Sequence, residues 1–294
     1  MRPALRGRTY ASPRNLGRQV LHLLVMCTRV FCLVGLGLRM AAAVSAQNPP
    51  ADSSQSASSP SAPVSNSNAP ERLVSWKRII PNILDDQKRI WLFPAHVAEG
   101  SHLIPVAGVL GATAALVALD PVEARYFRGT RSFHTLNRAL PSNATTAGIL
   151  VVPAALYFTG TLRKDSKTQQ TALLAVEAAA DAEIPNLFLR NTTRRLRPAD
   201  VPQHGNFSDT WFDSGGNPLK AQGSFPSGHT AAAFAVATVI TRRYHTHRWV
   251  PFVAYGVAGA IGFSRVSLSA HFLSDVFFGG ALGYSVGRFV VLRQ

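Results

Sequence analysis

The 294-residue chain is short of cysteine, of acid and of charge in general, and each shortage excludes something. Its only cysteines, Cys27 and Cys32, lie close together near the start. The rest of the chain can build neither a disulfide framework nor a thiolate metal site, which is compatible with export without identifying a compartment. Fifteen acidic residues stand against thirty lysines and arginines, a formal net charge of +15. Residues 1–46 hold seven of the arginines and no acid, so the remainder carries 23 basic against 15 acidic residues, a net of +8. An excess of that size suits nucleic acid, an anionic membrane or a phosphate site. The interleaved basic and aromatic pattern of nucleic-acid binders is missing, which sets nucleic acid last. Charged residues make up 15% of the chain and hydrophobic ones 47%. About 25% charged is usual for soluble domains, so apolar elements must dominate.

Residues 1–46 read as a signal peptide or N-terminal anchor. A basic front leads into Phe31–Leu38, and Val44-Ser45-Ala46 offers small residues for cleavage. Arg29 and Arg39 interrupt the apolar run, and a start at Met26 would shorten the front. From Gln47 to Pro70 serine, proline, alanine and asparagine prevail with Asp52 as the only charge, the composition of a disordered linker. Residues 71–100 form an amphipathic lead-in with Trp76, Ile79, Ile80, Ile83, Leu84, Ile90, Trp91 and Phe93 among charges. Pro81 and Pro94 predict one or two short helices there, with Asp85-Asp86 on a solvated face.

The remaining domain, 101–294, contains six apolar stretches near 102–119, 144–162, 170–189, 229–241, 249–263 and 273–291. Alanine, glycine, valine and leucine prevail, residues that let helices approach closely. Residues 139–162 are uncharged throughout, long enough to span a bilayer. Glu177, Asp181 and Glu183 interrupt the third stretch, and the fourth and fifth are near the short limit. An all-α bundle is expected, either embedded in a membrane or packed as a soluble bundle.

Three short motifs carry chemistry. Arg190-Asn-Thr-Thr-Arg194-Arg195-Leu-Arg197-Pro198 follows the third stretch. Alone, it would be an ordinary solvated or lipid-facing cluster. Ser224-Phe-Pro226-Ser227-Gly228-His229-Thr230 opens the fourth, with Ser227 as N-cap and exposed amides that suit an anion. Alone, it would be a helix cap. Ser264-Arg265, then His271, then Asp275 close the set. If the helix starts at Ala270, His271 and Asp275 share one face a turn apart, and the carboxylate can hold one imidazole nitrogen while the other stays free.

In this order and spacing, Arg190-x6-Arg197-Pro198, Pro226-Ser227-Gly228-His229 and Arg265-x5-His271-x3-Asp275 resemble the three-part signature of the type 2 phosphatidic acid phosphatase family. That superfamily also holds bacterial acid phosphatases and vanadium haloperoxidases. One departure is Arg190, where the family usually has lysine; the charge is kept, but the planar fork is larger. The resemblance implies a six-helix, membrane-embedded bundle hydrolysing a phosphomonoester or pyrophosphate without a metal or cofactor. It implies His271 as nucleophile, Asp275 as its orienting carboxylate and His229 as the acid that protonates the leaving group. Arg190, Arg197, Ser227, Gly228 and Arg265 would bind the phosphoryl oxygens. Arg194 and Arg195 occupy unspecified positions of the first motif and receive no catalytic role.

Other polar groups invite blander accounts. Glu177 and Asp181 are expected to pair with arginines or to face a polar seam. His245 and His247 sit in a basic turn, and Asp209, Trp211 and Asp213 in a loop. All three motifs fall on one side of a six-helix arrangement. Short basic loops opposite, with Arg163, Lys164, Lys167, Arg242, Arg243, Arg248 and Arg293, favour a periplasm-facing site in the inner membrane. Arg125, Arg128, Arg131 and Arg138 on the active side weaken that asymmetry. The expected partner is a phosphorylated lipid such as phosphatidic acid, phosphatidylglycerol phosphate, undecaprenyl pyrophosphate or lipid A phosphate. The alternatives are a soluble or peripheral periplasmic acid phosphatase, a vanadium haloperoxidase, or a non-catalytic anion-binding membrane protein.

Overall fold

Apolar stretches of this length satisfy their own backbone most simply as helices. The computed structural model describes residues 72, 74–130, 132–213 and 223–292. The segments expected to be a signal peptide or anchor (1–46) and a linker (47–70), with Arg131 and Arg293, lie outside the described residues. Among the described residues there are eight α-helices and no strand. They are α1 (Ile79–Ala98), α2 (Leu103–Gly129), α3 (His134–Ala139), α4 (Ser142–Leu162), α5 (Ser166–Thr193), α6 (Gly228–Arg243), α7 (Trp249–Ser267) and α8 (Leu273–Ser285). The six apolar stretches coincide with α2, α4, α5, α6, α7 and α8, the last continuing as a π-helical turn over Val286–Val291. The lead-in supplies α1 and the loop before α4 supplies α3.

α1 is a single 20-residue helix rather than one or two short ones. Pro81 falls in its first turn, where a backbone N–H has no helical partner to lose, and Pro94 lies inside the helix without ending it. Only Asp86, Gln87 and Val97 of this helix are buried. Asp86 therefore corrects the expectation of a solvated pair: Asp85 is exposed, but Asp86 is fully buried and bonded to Arg72 at 2.7 Å. The physical reason is the acid-rich middle of α5, against which α1 packs. Asn82 Nδ2 donates to Glu177 Oε1 at 2.9 Å, Gln87 Nε2 to Asp181 Oδ1 at 3.0 Å, and Arg72 lies 3.4 Å from Glu177. The polar interruptions of the third stretch are thus a buried seam, which lets α5 keep its full 28 residues.

α2, α4 and α7 are each long and apolar enough to cross a membrane. The most apolar windows of α2 and α4 are only 17% buried. Ile104, Val122, Leu150, Phe158 and Phe252 point outward, an arrangement suited to lipid rather than water. The packed centre is instead α5, α6 and α8, where Ala175, Ala178, Ala182, Ala231, Ala235 and Val239 form the core with Leu174 and Val286. Gly279 and Gly283 of α8 bring that helix against the backbone of α6. A Cβ at Gly279 would sit 2.6 Å from the Ser227 carbonyl oxygen, and one at Gly283 would overlap the Ala231 carbonyl. This close approach places the starts of α6 and α8 side by side.

Candidate active site

The first motif begins on a helix and leaves it. Arg190 lies in the last turn of α5, and Arg194, at φ 44°, ends the helix in the left-handed conformation. The chain then runs extended, with the Leu196 amide donating to the Thr210 carbonyl and the Ser224 amide to the Arg195 carbonyl. Gly223 crosses over the Arg190 backbone where a side chain would collide, and Arg190 Nε donates to the Gly223 carbonyl at 2.9 Å. The first and second motifs are thereby tied together.

The second motif forms the start of α6. Ser227 stands at the N-cap position but makes no side-chain capping bond; its Oγ is 2.9 Å from Thr230 Oγ1. Its own amide donates to the Asp275 carbonyl at 3.0 Å. The Gly228, His229 and Thr230 amides, the first of the helix, make no hydrogen bond to any described residue. Such unpaired donors at the positive end of a helix suit an anion. His229 Nε2 lies 3.0 Å from Thr146 Oγ1 at the start of α4. Burial, with the charges of Arg265, His271 and Arg190, lowers the His229 imidazole to about 4.

The third motif spans the end of α7 and the start of α8. Arg265 is fully buried, and its donors reach Ser142 Oγ at 2.8 Å, Thr145 Oγ1 at 3.1 Å, Ser264 Oγ at 3.2 Å and the Leu140 carbonyl. It anchors the beginning of α4, the element that also meets His229. The expected phosphate ligand bonds the protein's own oxygens here, with Nη1 using one of its two N–H groups on Ser142. His271 is 3% exposed and precedes the helix, since α8 begins only at Leu273, not at Ala270. The reason is a turn closed by the Ala270 and His271 amides on the Arg265 carbonyl. Its Nδ1 is 2.7 Å from the Ser224 carbonyl and 3.7 Å from Asp275 Oδ2. A carbonyl can only accept, so Nδ1 carries the hydrogen and Nε2 is left with its lone pair. Burial holds this imidazole below its usual range; Asp275 opposes the shift, and Arg197 and Arg190 add to it. The bonds from His271 to the Ser224 carbonyl, from the Ser227 amide to the Asp275 carbonyl and from Arg190 to the Gly223 carbonyl bring all three motifs to one place.

Sequence reasoning missed three residues beneath this site. Asp275 is held less by His271 than by Arg195, whose Nη1 lies 2.6 Å from its Oδ1. Ser224 Oγ and the Phe272 amide bond the other carboxylate oxygen, the latter at 2.9 Å. Burial pushes the Asp275 carboxyl upward, but Arg195 and His271 outweigh it and keep the group below the ordinary carboxylate range. Arg195 Nη2 bonds Asp120 Oδ2 of α2 at 2.7 Å. Asp120 in turn accepts from the Ser274 amide at 3.1 Å and the Ser274 hydroxyl at 2.5 Å, while Glu123 accepts from the Leu273 amide. The signals available were two acids at the end of an apolar run and an arginine at an unassigned motif position. Trp211, assigned to a loop, stacks on that arginine at 4.4 Å, while Asp209 and Asp213 stay exposed.

Comparison with known proteins bears on the same region. Residues 169–294 match the sequence model of the PAP2 superfamily. The chain is 44% identical over 69 residues to a lipid A 1-phosphatase of Porphyromonas gingivalis, covering 23% of this chain and 16% of that protein. It is 26% identical over 108 residues to a lipid A 4'-phosphatase of the same organism, covering 37% and 44% respectively. The matches thus span less than half the length of either curated relative. The crystal structure of a transmembrane PAP2-type phosphatidylglycerolphosphate phosphatase from Bacillus subtilis aligns over 73% of this chain and 92% of its own, at 21% identity and a TM-score of 0.36. The region that matches the PAP2 superfamily is the one that holds all three motifs, and over it the chain is similar to that superfamily.

Proposed function

We propose that the protein is a metal-independent phosphatase that hydrolyses a phosphomonoester or pyrophosphate of a lipid through a phosphohistidine. The observation that carries this reading is the His271 ring: Nδ1 is fixed on the Ser224 carbonyl, and Nε2 is left as a lone-pair donor in a ring buried where the three motifs meet. In the first step Nε2 forms a bond to phosphorus while the bond to the leaving oxygen breaks. His229 gives its proton to that oxygen. In the second step water attacks phosphorus, His229 takes the water proton and the P–N bond breaks, releasing phosphate. The Gly228 and His229 amides, the Ser227 hydroxyl, Arg190 and Arg197 stabilise the phosphoryl oxygens, and Asp275 and Ser224 hold His271. Arg265 contributes positive charge and fixes the α4 wall of the site.

The lipid assignment rests on the outward apolar faces of α2, α4 and α7. Lipid A phosphate is the first substrate to try, since two curated relatives are named for it. We place the site on the periplasmic side of the inner membrane, because the turns at the opposite end carry Arg163, Lys164, Lys167, Arg242, Arg243 and Arg248. Reporter fusions at Gly205 and Thr246 test this placement, and a cytoplasmic signal at Gly205 reverses it. For the activity, full-length protein in mixed micelles is given lipid A bisphosphate or phosphatidylglycerol phosphate with chelator present. Phosphate release that survives chelation and vanishes in His271→Ala supports the reading; release retained by His271→Ala overturns it.

A further inference from the structure

Against the carboxylate oxygen of Asp275 that Ser224 and Phe272 leave free, a single guanidinium has nearly every surface occupied. Arg195 is 1% exposed. Its Nε bonds Thr210 Oγ1 at 3.2 Å, its Nη1 bonds Ser274 Oγ at 2.8 Å and Asp275 Oδ1 at 2.6 Å, and its Nη2 bonds Asp120 Oδ2 at 2.7 Å. Both flat faces are covered, by Trp211 at 4.4 Å and Phe272 at 3.9 Å from the ring centres. A buried arginine is costly unless its geometry is satisfied, and this one is satisfied by two fully buried carboxylates and two aromatic faces. Lysine could reach one carboxylate, but not both in the plane of one fork.

The position of Arg195 matters as much as its bonds. It meets both groups that face the His271 Nδ1 edge: its side chain holds Asp275, and its backbone carbonyl receives the amide of Ser224, whose own carbonyl accepts from Nδ1. It makes no contact with His271 itself. Asp120 closes the assembly from α2 by gripping Arg195 and the Ser274 amide at once, one residue from Asp275. We propose that Arg195, clamped between Asp120 and Asp275, is a positioning residue that sets the orientation of His271 from behind, so that a carboxylate on an outer apolar helix governs a nucleophile it never touches. The inference rests on the phosphatase reading and adds two residues to its machinery.

A positioning residue lowers turnover without weakening substrate binding, because it touches the catalytic group and not the substrate. The test compares wild type, Arg195→Gln, Arg195→Lys, Asp120→Asn and the double variant Arg195→Gln/Asp120→Asn, each as full-length protein hydrolysing lipid A bisphosphate in mixed micelles. Arg195→Gln is expected to lose about 10–100-fold in kcat, the usual effect of removing a partner of an active group, with KM changed less than about threefold. Arg195→Lys should recover part of the loss. Asp120→Asn should cost less than Arg195→Gln, and the double variant should cost less than the two single losses combined, since both act through one contact. If Arg195→Gln aggregates, Arg195→Lys and Asp120→Asn carry the test by the same split between kcat and KM. Unchanged kcat in the soluble variants, or a loss expressed wholly in KM, overturns the clamp while leaving an active wild type as a phosphatase. An inactive wild type sinks both.

Discussion

The two helices that follow the active histidines' motifs start a few ångströms apart and are finished in opposite ways. α8 begins with its amides taken: Phe272 donates to Asp275, Leu273 to Glu123 and Ser274 to Asp120. α6 begins with Gly228, His229 and Thr230 amides that meet no described acceptor, and the hydroxyl of its N-cap serine is turned to Thr230. Both ends carry the same partial positive charge. One has been neutralised by three carboxylates of the protein and is a structural joint; the other has Glu183 packed against Gly228 but keeps its first amides unpaired among the described residues, which suits an anion. The difference explains why phosphate is expected on the α6 side of His271 and why Asp275, Asp120 and Arg195 lie on the other. A helix terminus is a site only where the protein has not capped it itself.

Changes at the closed end should strike turnover hardest. Asp275→Asn removes the carboxylate beside His271 and the partner of Arg195. By comparison with the orienting carboxylate of a hydrolytic triad, turnover is expected to fall about 10³- to 10⁴-fold with the fold kept, read as kcat in detergent with circular dichroism as control. At the open end, Ser227→Ala removes a hydroxyl that pairs with Thr230 here and that bound phosphate would draw toward itself. It should cost about 10²-fold in kcat, nearer the effect of one oxyanion donor than of the nucleophile's support. The boundary between the two ends is breakable too. Gly279→Ala drives a methyl toward the Ser227 carbonyl, which should cost about 1–3 kcal/mol in thermal or denaturant unfolding and weaken phosphate binding at α6.

The pH profile separates the ends in another way. His271 is held below its ordinary range by burial, so the nucleophile stays unprotonated into mild acid. The limb of kcat/KM on which activity falls as pH drops should therefore lie below 6.5, the value of an unperturbed histidine. His229, lowered to about 4 by burial and by the charges of Arg265 and His271, is neutral at pH 7, and a phosphate that offsets those cations restores its proton. The alkaline limb of kcat, which reports the loaded enzyme, should accordingly fall well above pH 4. An acid limb of kcat/KM at or above 6.5 would contradict the buried, depressed nucleophile. The smallest effect belongs to Arg194→Ala: this residue is exposed at the helix end, and stability should change by no more than about 0.5 kcal/mol, with kcat near wild type.

The open end was largely legible in the sequence, because its parts are local. Pro226-Ser227-Gly228-His229 announces a helix start, and the apolar run behind it fixes which face is inside. The closed end was not, because its parts come from four separate segments. Asp120 stood just past the end of the first apolar stretch, where an acid inside an apolar helix signals a buried partner but not which one. Arg195 lay in plain view between Arg190 and Arg197, yet neither spacing nor charge distinguishes a cation facing phosphate from one facing the protein's own acids. Asp86 failed for the same reason: its burial depends on Arg72 and the acids of α5. The six apolar helices were found, with α2 and α5 underestimated because the charged residues at their ends looked like loop; α3 and the full 20-residue length of α1 were not.

The central claim is that His271 becomes covalently phosphorylated in a pocket walled by the open end of α6 and supported by the closed end of α8. Radiolabelled lipid phosphate mixed with the intact protein and quenched in alkali within the first turnover tests it. The account predicts label on the protein that is stable to base, released by acid, mapped to His271 and absent in His271→Ala. Turnover without any labelled protein in a quench fast enough to catch the first cycle, or label that persists in His271→Ala, would contradict it.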